Sequence, residues 1–241
     1  MTATFLTPSL PGLRGKAHLL RQMRRDGIRV SARRRPVDAD TGDFVLAHPL
    51  GAGRWLVAIG DAMGRGLAAE ELAAEVRTFL RARAARASSL GELLRGANHL
   101  VHAATEGERF VSLLVMLLDA RNHTLRIANA GQCEPLAVGR SGGVIALEGH
   151  GPALGLLPSA DYNEAGPLRL PAGVLVLATT DGVTEALDAS GRMLGRAGAA
   201  RALARARNDG PRGAVRAVLD AAESHSAGRR AAPDVATAVA F

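Results

Sequence analysis

Cysteine and aromatic residues are scarce in this chain of 241 residues, in which Cys133 is the only cysteine and Phe, Trp and Tyr together make up 3%. One thiol cannot form an internal disulfide, so the fold depends on its core alone. Hydrophobic residues make up 47% of the chain, which is enough to fill a sizeable core. The lack of a disulfide fits a reducing compartment, and we expect a cytoplasmic protein.

Long apolar runs are absent as well. A membrane-spanning helix needs about 20 consecutive apolar residues, whereas the best candidate, residues 110–118, has the length of a strand. The N-terminal residues lack the charged start and the apolar middle of a signal peptide. The sequence therefore predicts no membrane association.

Positive charge is in excess, with 30 Lys and Arg against 23 Asp and Glu and a net charge of +7. Such a balance can indicate nucleic-acid binding. The positive residues are almost all arginine and are spread along the chain, and the scarce aromatics leave few platforms on which bases could stack. A basic surface equally suits an acidic or phosphorylated protein, so we expect a protein partner and no nucleic acid. A nucleic-acid binder is the weakest alternative, and the salt dependence of any binding would test it.

Two regions are predicted from the pattern along the chain. Residues 1–26 form an N-terminal arm in which residues 16–25 have helical potential and a basic face, typical of a solvated helix or of a regulatory helix that docks on a partner. Residues 27–241 contain no repeat and no low-complexity linker, so they are predicted to form one compact domain. The sequence does not indicate an oligomeric state.

The strands of this domain are mostly joined by short turns, and the helices come in pairs between groups of strands. Strands are predicted at residues 28–33, 44–47, 55–59, 110–118, 124–128, 136–138, 144–147, 168–170, 174–178 and 235–241. Helices are predicted at residues 67–87, from Ser88-Ser89 to about 104, at 197–207 and at 212–223. This order favours an α+β fold of antiparallel sheets with helices packed outside, rather than a doubly wound fold.

Carboxylates stand at the ends of two apolar runs. Asp61 follows residues 55–59, and Asp181 follows residues 174–178, each with a glycine beside it. A carboxylate at the end of a buried strand is held by a rigid element and can bind hard cations, which take oxygen ligands. Each has a simpler alternative, since Asp61 could be a turn former and Asp181 could cap the helix that follows. Asp43 after Gly42 has the same turn-forming alternative.

A set of short motifs, taken in order, resembles the metal-dependent type 2C protein serine/threonine phosphatases, and most of all their bacterial SpoIIE/RsbU-like branch. The resemblance runs from about residue 28 to the C-terminus, and the motifs around Asp61 and Asp181 are its specific parts. The motifs are Gly42-Asp43-Phe44, Gly60-Asp61-Ala62-Met63-Gly64-Arg65-Gly66, Phe110-Val-Ser-Leu-Leu, Asn129-Ala-Gly131, Pro152-Ala-Leu-Gly155 and Thr180-Asp181-Gly-Val-Thr-Glu-Ala186.

The resemblance implies an α-β-β-α sandwich of two antiparallel sheets flanked by helix pairs, with two Mn²⁺ or Mg²⁺ ions in a cleft at one edge. Asp61 would bridge the ions, the backbone carbonyl of Ala62 would be a further ligand, and Asp181 and Asp234 would hold the second ion. Asp43 would ligate or hydrogen-bond the metal-bound waters. The implied activity, carried by Asp43, Asp61 and Asp181, is hydrolysis of phosphoserine or phosphothreonine by metal-activated water. The implied substrate is a small signalling regulator of the anti-sigma-factor-antagonist type.

The sequence departs from the family pattern at three places. Residues 45–47 carry no acid where the family has one, Pro233 replaces the first residue of an Asp-Asp pair before the last strand, and Arg65 replaces the histidine of a Gly-His-Gly motif. An arginine there could pair with the substrate phosphate through two hydrogen bonds, although an exposed arginine without that role fits equally well. The first two departures favour an alternative, a phosphatase-like module that has lost tight metal binding and acts by binding a partner.

Overall fold

The computed structural model describes residues 18–25, 27–35, 42–226 and 234–240. The strands in this part of the chain are β1 (His18–Arg25), β2 (Ile28–Arg35), β3 (Phe44–Gly51), β4 (Arg54–Ala62), β5 (Val111–Asp119), β6 (Thr124–Ala130), β7 (Leu136–Val138), β8 (Val144–Ala146), β9 (Glu164–Arg169), β10 (Leu175–Thr179) and β11 (Asp234–Ala240). The helices are α1 (Leu67–Arg83), α2 (Leu90–Thr105), α3 (Asp181–Thr184), α4 (Gly195–Arg205) and α5 (Gly210–His225). Among these helices, none is both long enough and apolar enough to span a bilayer.

The strands form two antiparallel sheets. A six-stranded sheet has the order β1-β2-β11-β10-β7-β8, and a five-stranded sheet has the order β3-β4-β5-β6-β9. Three apolar clusters separate four layers. The first, which includes Leu56 and Leu94, lies between the five-stranded sheet and α1 and α2. The second joins the two sheets through residues such as Ile59 and Val176. The third, with Leu203, packs α3, α4 and α5 on the six-stranded sheet. The predicted α-β-β-α sandwich is confirmed.

Side-chain alternation along β4 decides where its last residues point, since successive residues of a strand face opposite sides of the sheet. Leu56 and Ala58 pack toward α1 and α2, whereas Val57 and Ile59 pack between the sheets. Asp61 is two residues beyond Ile59, so its side chain is on the face between the sheets. β4 pairs with the central strand β5 over its whole length, from Arg54 to Ala62, which makes it a rigid support.

One part of the predicted pattern is wrong. The segment that was predicted as a helix, residues 16–25, forms strand β1 from His18 onward and pairs with β2. Leu, Arg, Gln and Met favour a helix, but pairing at a sheet edge outweighs that weak preference. The overlooked signal is the Asp26-Gly27 dipeptide, typical of a two-residue hairpin turn, since Arg25 pairs with Ile28. Residues 1–17 of the predicted arm lie outside the described residues, and a regulatory role for the arm stays a prediction.

The predicted strands on either side of residues 171–173 are both present, and they belong to different sheets. β9 begins at Glu164 and pairs with β6 in the five-stranded sheet, while β10 pairs with β7 and β11 in the other. The turn therefore carries the chain from one sheet to the other. This crossing puts the end of β10, and with it Asp181, in the sheet opposite Asp61.

A buried amide on α2 fastens the loop that precedes β9. The Asn98 side chain is 1% exposed. Its Oδ1 accepts hydrogen bonds from the Gly155 amide at 2.8 Å and from the Tyr162 hydroxyl at 3.1 Å, and its Nδ2 donates to the Leu157 carbonyl at 3.0 Å. His102 bonds the Gly155 carbonyl through Nδ1 at 2.9 Å. These hydrogen bonds hold the loop to the helix.

We expect Asn98→Ala to lower the free energy of unfolding by about 3 kcal/mol, because it leaves several buried polar groups without partners. Urea denaturation of the purified protein measures this. The matched control is Asn122→Ala, which removes an amide bonded to Asp119 in an exposed turn and should change stability by no more than about 0.5 kcal/mol. Equal effects of the two substitutions would contradict the role given to Asn98.

Candidate functional site

The Asp61 carboxyl group is half-buried at the end of β4, opposite Ser112 of β5. Burial and the nearby negative charge of Asp181 raise its pKa from an ordinary 3.8 to about 6. A like charge raises a pKa in this way only at short range. The carboxylates of Asp61 and Asp181, 120 positions apart in the sequence, therefore lie within range of each other's charge at one end of the sandwich.

Asp181 is the first residue of the short helix α3, separated from the end of β10 by Thr180 alone. Its carbonyl accepts a hydrogen bond from the Thr184 hydroxyl at 3.1 Å and one from the Glu185 amide at 2.7 Å. These bonds fix the backbone turn, and the side chain is exposed at the end of the six-stranded sheet. Asp61 thus comes from one sheet and Asp181 from the other.

Asp43 is 6% exposed and immediately precedes β3. The β3–β4 register pairs Phe44 with Gly60, and the Ala62 amide donates to the Gly42 carbonyl at 3.1 Å. Continued by one residue, this register puts Asp43 opposite Asp61. Residues that lie opposite each other in an antiparallel pair share a face, so Asp43 also faces the space between the sheets.

Asp234 is the first residue of β11. β10 and β11 pair in a register that includes Thr179 with Ala236. β10 ends at Thr179, and α3, which begins at Asp181, packs against β11. The backbone of β11 therefore starts at the same end of the six-stranded sheet as Asp181, where the predicted ligand would have to be, while Pro233 lies outside the described residues.

The groups at this end of the sandwich suit a hard cation in their chemistry. Asp61 and Asp181 provide repelling carboxylates, whose repulsion a bound cation would relieve. The backbone of Ala62 adjoins them. A Cβ at position 42 would lie 2.0 Å from the Ala62 carbonyl oxygen, so any residue other than glycine at this position would clash with that oxygen. Among the described side chains, no cluster of three or more His, Cys, Asp or Glu residues is close enough to form a metal site. The metal-ligand set remains a prediction.

Arg65 lies in the loop between β4 and α1, flanked by Gly64 with φ of 109° and Gly66 with φ of 75°. Both values belong to the left-handed region that glycine tolerates, so the loop can turn sharply out of the strand into the helix. The Arg65 side chain is exposed. It forms no ion pair with the part of the chain that the structure describes, which leaves its guanidinium available to a phosphate.

Sequence reasoning missed the polar residues beside the acids. Gln132 is 8% exposed and donates from Nε2 to the hydroxyl of Ser112 at 3.1 Å. Ser112 is the residue of β5 that pairs with Asp61. The next residue, Cys133, lies in the loop between β6 and β7, with its Sγ 3.8 Å from the Thr184 hydroxyl. Burial and the charges of Asp181 and Glu185 raise the thiol pKa. The one available signal was position, since both residues directly follow the motif Asn129-Ala-Gly131.

Known proteins are similar to this chain in sequence and in fold. The chain is 26% identical over 189 residues to Protein IcfG of Synechocystis, a match that covers 67% of this chain and 30% of that protein. Its fold is similar to the PP2C phosphatase domain of SpoIIE from Bacillus subtilis, with a TM-score of 0.75, 16% identity and coverage of 92% and 64% of the two chains. It is also similar to the RsbU and RsbW domains of Rv1364c from Mycobacterium tuberculosis, with a TM-score of 0.70, 21% identity and coverage of 88% and 59%.

This chain thus spans under two thirds of each of these three relatives. Residues 51–240 match the family described as Stage II sporulation protein E (SpoIIE). The matched stretch contains Asp61, Asp181 and every strand from β4 to β11. On this match and on the shared sandwich, the chain belongs to the SpoIIE family and is a SpoIIE/RsbU-like phosphatase domain of the type 2C (PP2C) class.

Proposed function

We propose that this domain hydrolyses phosphoserine or phosphothreonine on a small signalling protein, with Mn²⁺ or Mg²⁺ as cofactor. The observation that carries the proposal is the meeting of Asp61 and Asp181, brought from separate sheets to within range of mutual repulsion. Repulsion between two carboxylates destabilises the metal-free fold and serves no structural purpose. Such costs are typical of functional sites.

Each acidic residue has a distinct role in the proposal. Asp61, Asp181 and Asp234, with the backbone carbonyl of Ala62, would hold two ions. Divalent ions bound there would supply a water of lowered pKa and positive charge for the phosphate oxygens. Asp43, buried opposite Asp61, orients the attacking water.

The reaction itself needs no covalent enzyme intermediate. The water oxygen bonds to phosphorus as the bond from phosphorus to the serine or threonine oxygen breaks, and the leaving oxygen takes up a proton. Cys133 has a raised thiol pKa, which opposes a role as nucleophile because the thiolate is the reactive form.

The proposed substrate is a phosphorylated regulator of the anti-sigma-factor-antagonist type. The Mycobacterium tuberculosis relative combines an RsbU domain with an RsbW domain, which supports a regulatory partner of this kind. The net charge of +7 suits a substrate that carries phosphate.

Hydrolysis of para-nitrophenyl phosphate by the purified protein, with manganese titrated in, tests the proposal. We expect turnover that rises with manganese, saturates, and is lost on chelation. The alternative is a partner-binding module without activity, favoured by β3, where Val45, Leu46 and Ala47 place no acid near the site. Absence of turnover with every divalent cation tried would leave the module as the better account.

Arg65→Ala tests the proposed phosphate contact. We expect KM for para-nitrophenyl phosphate to rise about tenfold, because a charge-assisted hydrogen bond to phosphate contributes about that much. Stability should not change, since Arg65 is exposed. Arg86→Ala, which removes an exposed arginine after α1, serves as the control and should leave KM unaltered. An unchanged KM in Arg65→Ala would remove this residue from the proposal.

A further inference from the structure

A cavity of about 360 Å³ opens beside Asp181, between the six-stranded sheet and α4. Thr179 and Thr184 line it on either side of Asp181 in the chain. Thr184 ties it to the site directly, because its hydroxyl bonds the Asp181 carbonyl at 3.1 Å. A second cavity of similar volume lies near Arg54 and Glu164. It is at the other end of the five-stranded sheet, away from Asp61 and Asp181.

The walls of the cavity beside Asp181 indicate what it accepts. Leu136, Leu177 and Ala199 are all at most 5% exposed and form an apolar floor. The charged pair at the rim, Arg196 and Glu134, is already joined in an ion pair. A group that enters the cavity therefore meets no unpaired charge from this pair. An uncharged apolar group of side-chain size would bind there more favourably than a charged one.

A short hairpin rises from the same walls. The chain leaves the cavity at Thr184 and returns to it at Arg196, and between them Leu187 pairs with Met193 in an antiparallel bridge. Leu187 is 41% exposed and Met193 is 59% exposed. Exposed large apolar side chains next to a pocket are typical of a binding surface.

Hydrogen bonds brace this hairpin. Asp188 accepts bonds through Oδ1 from the Ser190 amide at 2.8 Å and from the Arg192 amide at 3.0 Å. His225 of α5 bonds the Arg192 carbonyl at 2.9 Å, and the Leu194 amide donates to the Ala186 carbonyl at 2.8 Å. A braced hairpin presents its apolar side chains in one fixed position, which lowers the entropy lost on binding.

We infer that this cavity and hairpin form a specificity pocket for an apolar side chain of the substrate protein, one that flanks the phosphorylated residue. The inference rests on the proposed phosphatase function and deepens it. A phosphorylated residue at the acids would place its sequence neighbours beside Asp181, where the cavity opens. The floor would bind the apolar side chain, and the hairpin that carries Leu187 and Met193 would contact the peptide next to it.

Phosphoserine peptides made of alanine, with and without one leucine beside the phosphoserine on either side, test the pocket. We expect wild-type protein to show kcat/KM about tenfold higher for a leucine peptide than for the all-alanine peptide, the usual gain for a side chain in an apolar pocket. Cys133→Leu, which fills the cavity, should reduce that ratio to about one. Cys133→Ser keeps the volume and should retain the ratio.

A second variant avoids the buried wall. Leu187→Ala combined with Met193→Ala changes exposed residues, so it should fold normally and still lose most of the leucine preference. Ile145→Ala is the control, since Ile145 is 62% exposed but pairs with Ala137, whose side chain is on the other face of the sheet from the cavity. Lack of leucine preference in wild-type protein, or its persistence in both altered pockets, would overturn the inference.

Binding of the same peptides, followed by fluorescence anisotropy, separates the pocket from the catalytic proposal. If the protein binds the leucine peptide about tenfold more tightly and Cys133→Leu removes the difference, the pocket stands even where no peptide is hydrolysed. Hydrolysis of para-nitrophenyl phosphate without any leucine preference in binding or turnover would leave the phosphatase proposal intact and reject the pocket.

Discussion

Asp61→Asn is expected to lower manganese-dependent turnover of para-nitrophenyl phosphate about a thousandfold, while making the metal-free protein more stable. The loss of turnover follows from removing a carboxylate that would hold both ions, an interaction worth several kcal/mol in such sites. The gain in stability follows from relief of the repulsion between Asp61 and Asp181 and from the lower cost of burying a neutral group. A residue that is needed only for folding would move both quantities in the same direction.

The destabilising effect of the Asp61 carboxylate should also appear in the pH dependence of the free energy of unfolding. The pKa of Asp61 is raised from 3.8 to about 6 in the folded state, so between these values the folded protein binds more protons than the unfolded chain. Wild-type stability without metal should therefore fall as pH rises from 4 to 6, and Asp61→Asn should lack this part of the slope. Above pH 6, wild type and Asp61→Asn should differ in the free energy of unfolding by roughly 1 kcal/mol, because Asp61 is partly exposed and solvent screens its charge.

A double-mutant cycle provides the control. Repulsion disappears once either charge is removed, so Asp61→Asn and Asp181→Asn together should stabilise the metal-free protein by less than the sum of the single substitutions. Addition of manganese should raise the melting temperature of wild-type protein by mass action and leave that of the double variant unchanged. Additive stabilisation would show that the two carboxylates do not interact.

Much of the fold followed from local patterns because its strands are paired with their neighbours in sequence. The glycines at 51–53 and the alternation on either side predict the β3–β4 hairpin, and Ser89 with Glu92 predicts the start of α2, where the Ser89 hydroxyl accepts from the Glu92 amide. The helix predicted over residues 16–25 was wrong because pairing in the local β1–β2 hairpin outweighs helix propensity. The assignment of β9 and β10 to different sheets leaves no mark in the sequence, because it depends on tertiary pairing.

Part of the candidate site was predictable, because the end of a buried strand can be recognised in the sequence as the end of an apolar run. Asp61 and Asp181 were identified because each follows an apolar run, and the structure brings the two together. The cavity beside Asp181 was not predictable, because its walls come from β7, β10, α3 and α4, which have no common sequence pattern. Cys133 and Thr184 meet only through the packing of these elements.

Gly42→Ala is expected to cost about 3 kcal/mol of stability and to lower turnover about a hundredfold without removing any acidic group. An added Cβ at this position would lie 2.0 Å from the Ala62 carbonyl oxygen and 2.7 Å from the Ala62 amide nitrogen. Both atoms belong to backbone that β5 holds in place, so the strain of overpacking has to move the start of β3. Asp43 moves with it, and a displacement of about 1 Å in a catalytic group can cost a hundredfold in rate.

Gly139→Ala is the matched control for that substitution, since a Cβ there meets no atom within 4 Å. It should leave stability and turnover close to wild type. Urea denaturation and manganese-dependent hydrolysis of para-nitrophenyl phosphate, measured on both variants, separate the effect of position 42 from that of any glycine replacement. If Gly42→Ala kept full turnover, the placement of Asp43 opposite Asp61 would have no part in the reaction, and the acids that matter would be those of the β4 and β10 ends alone.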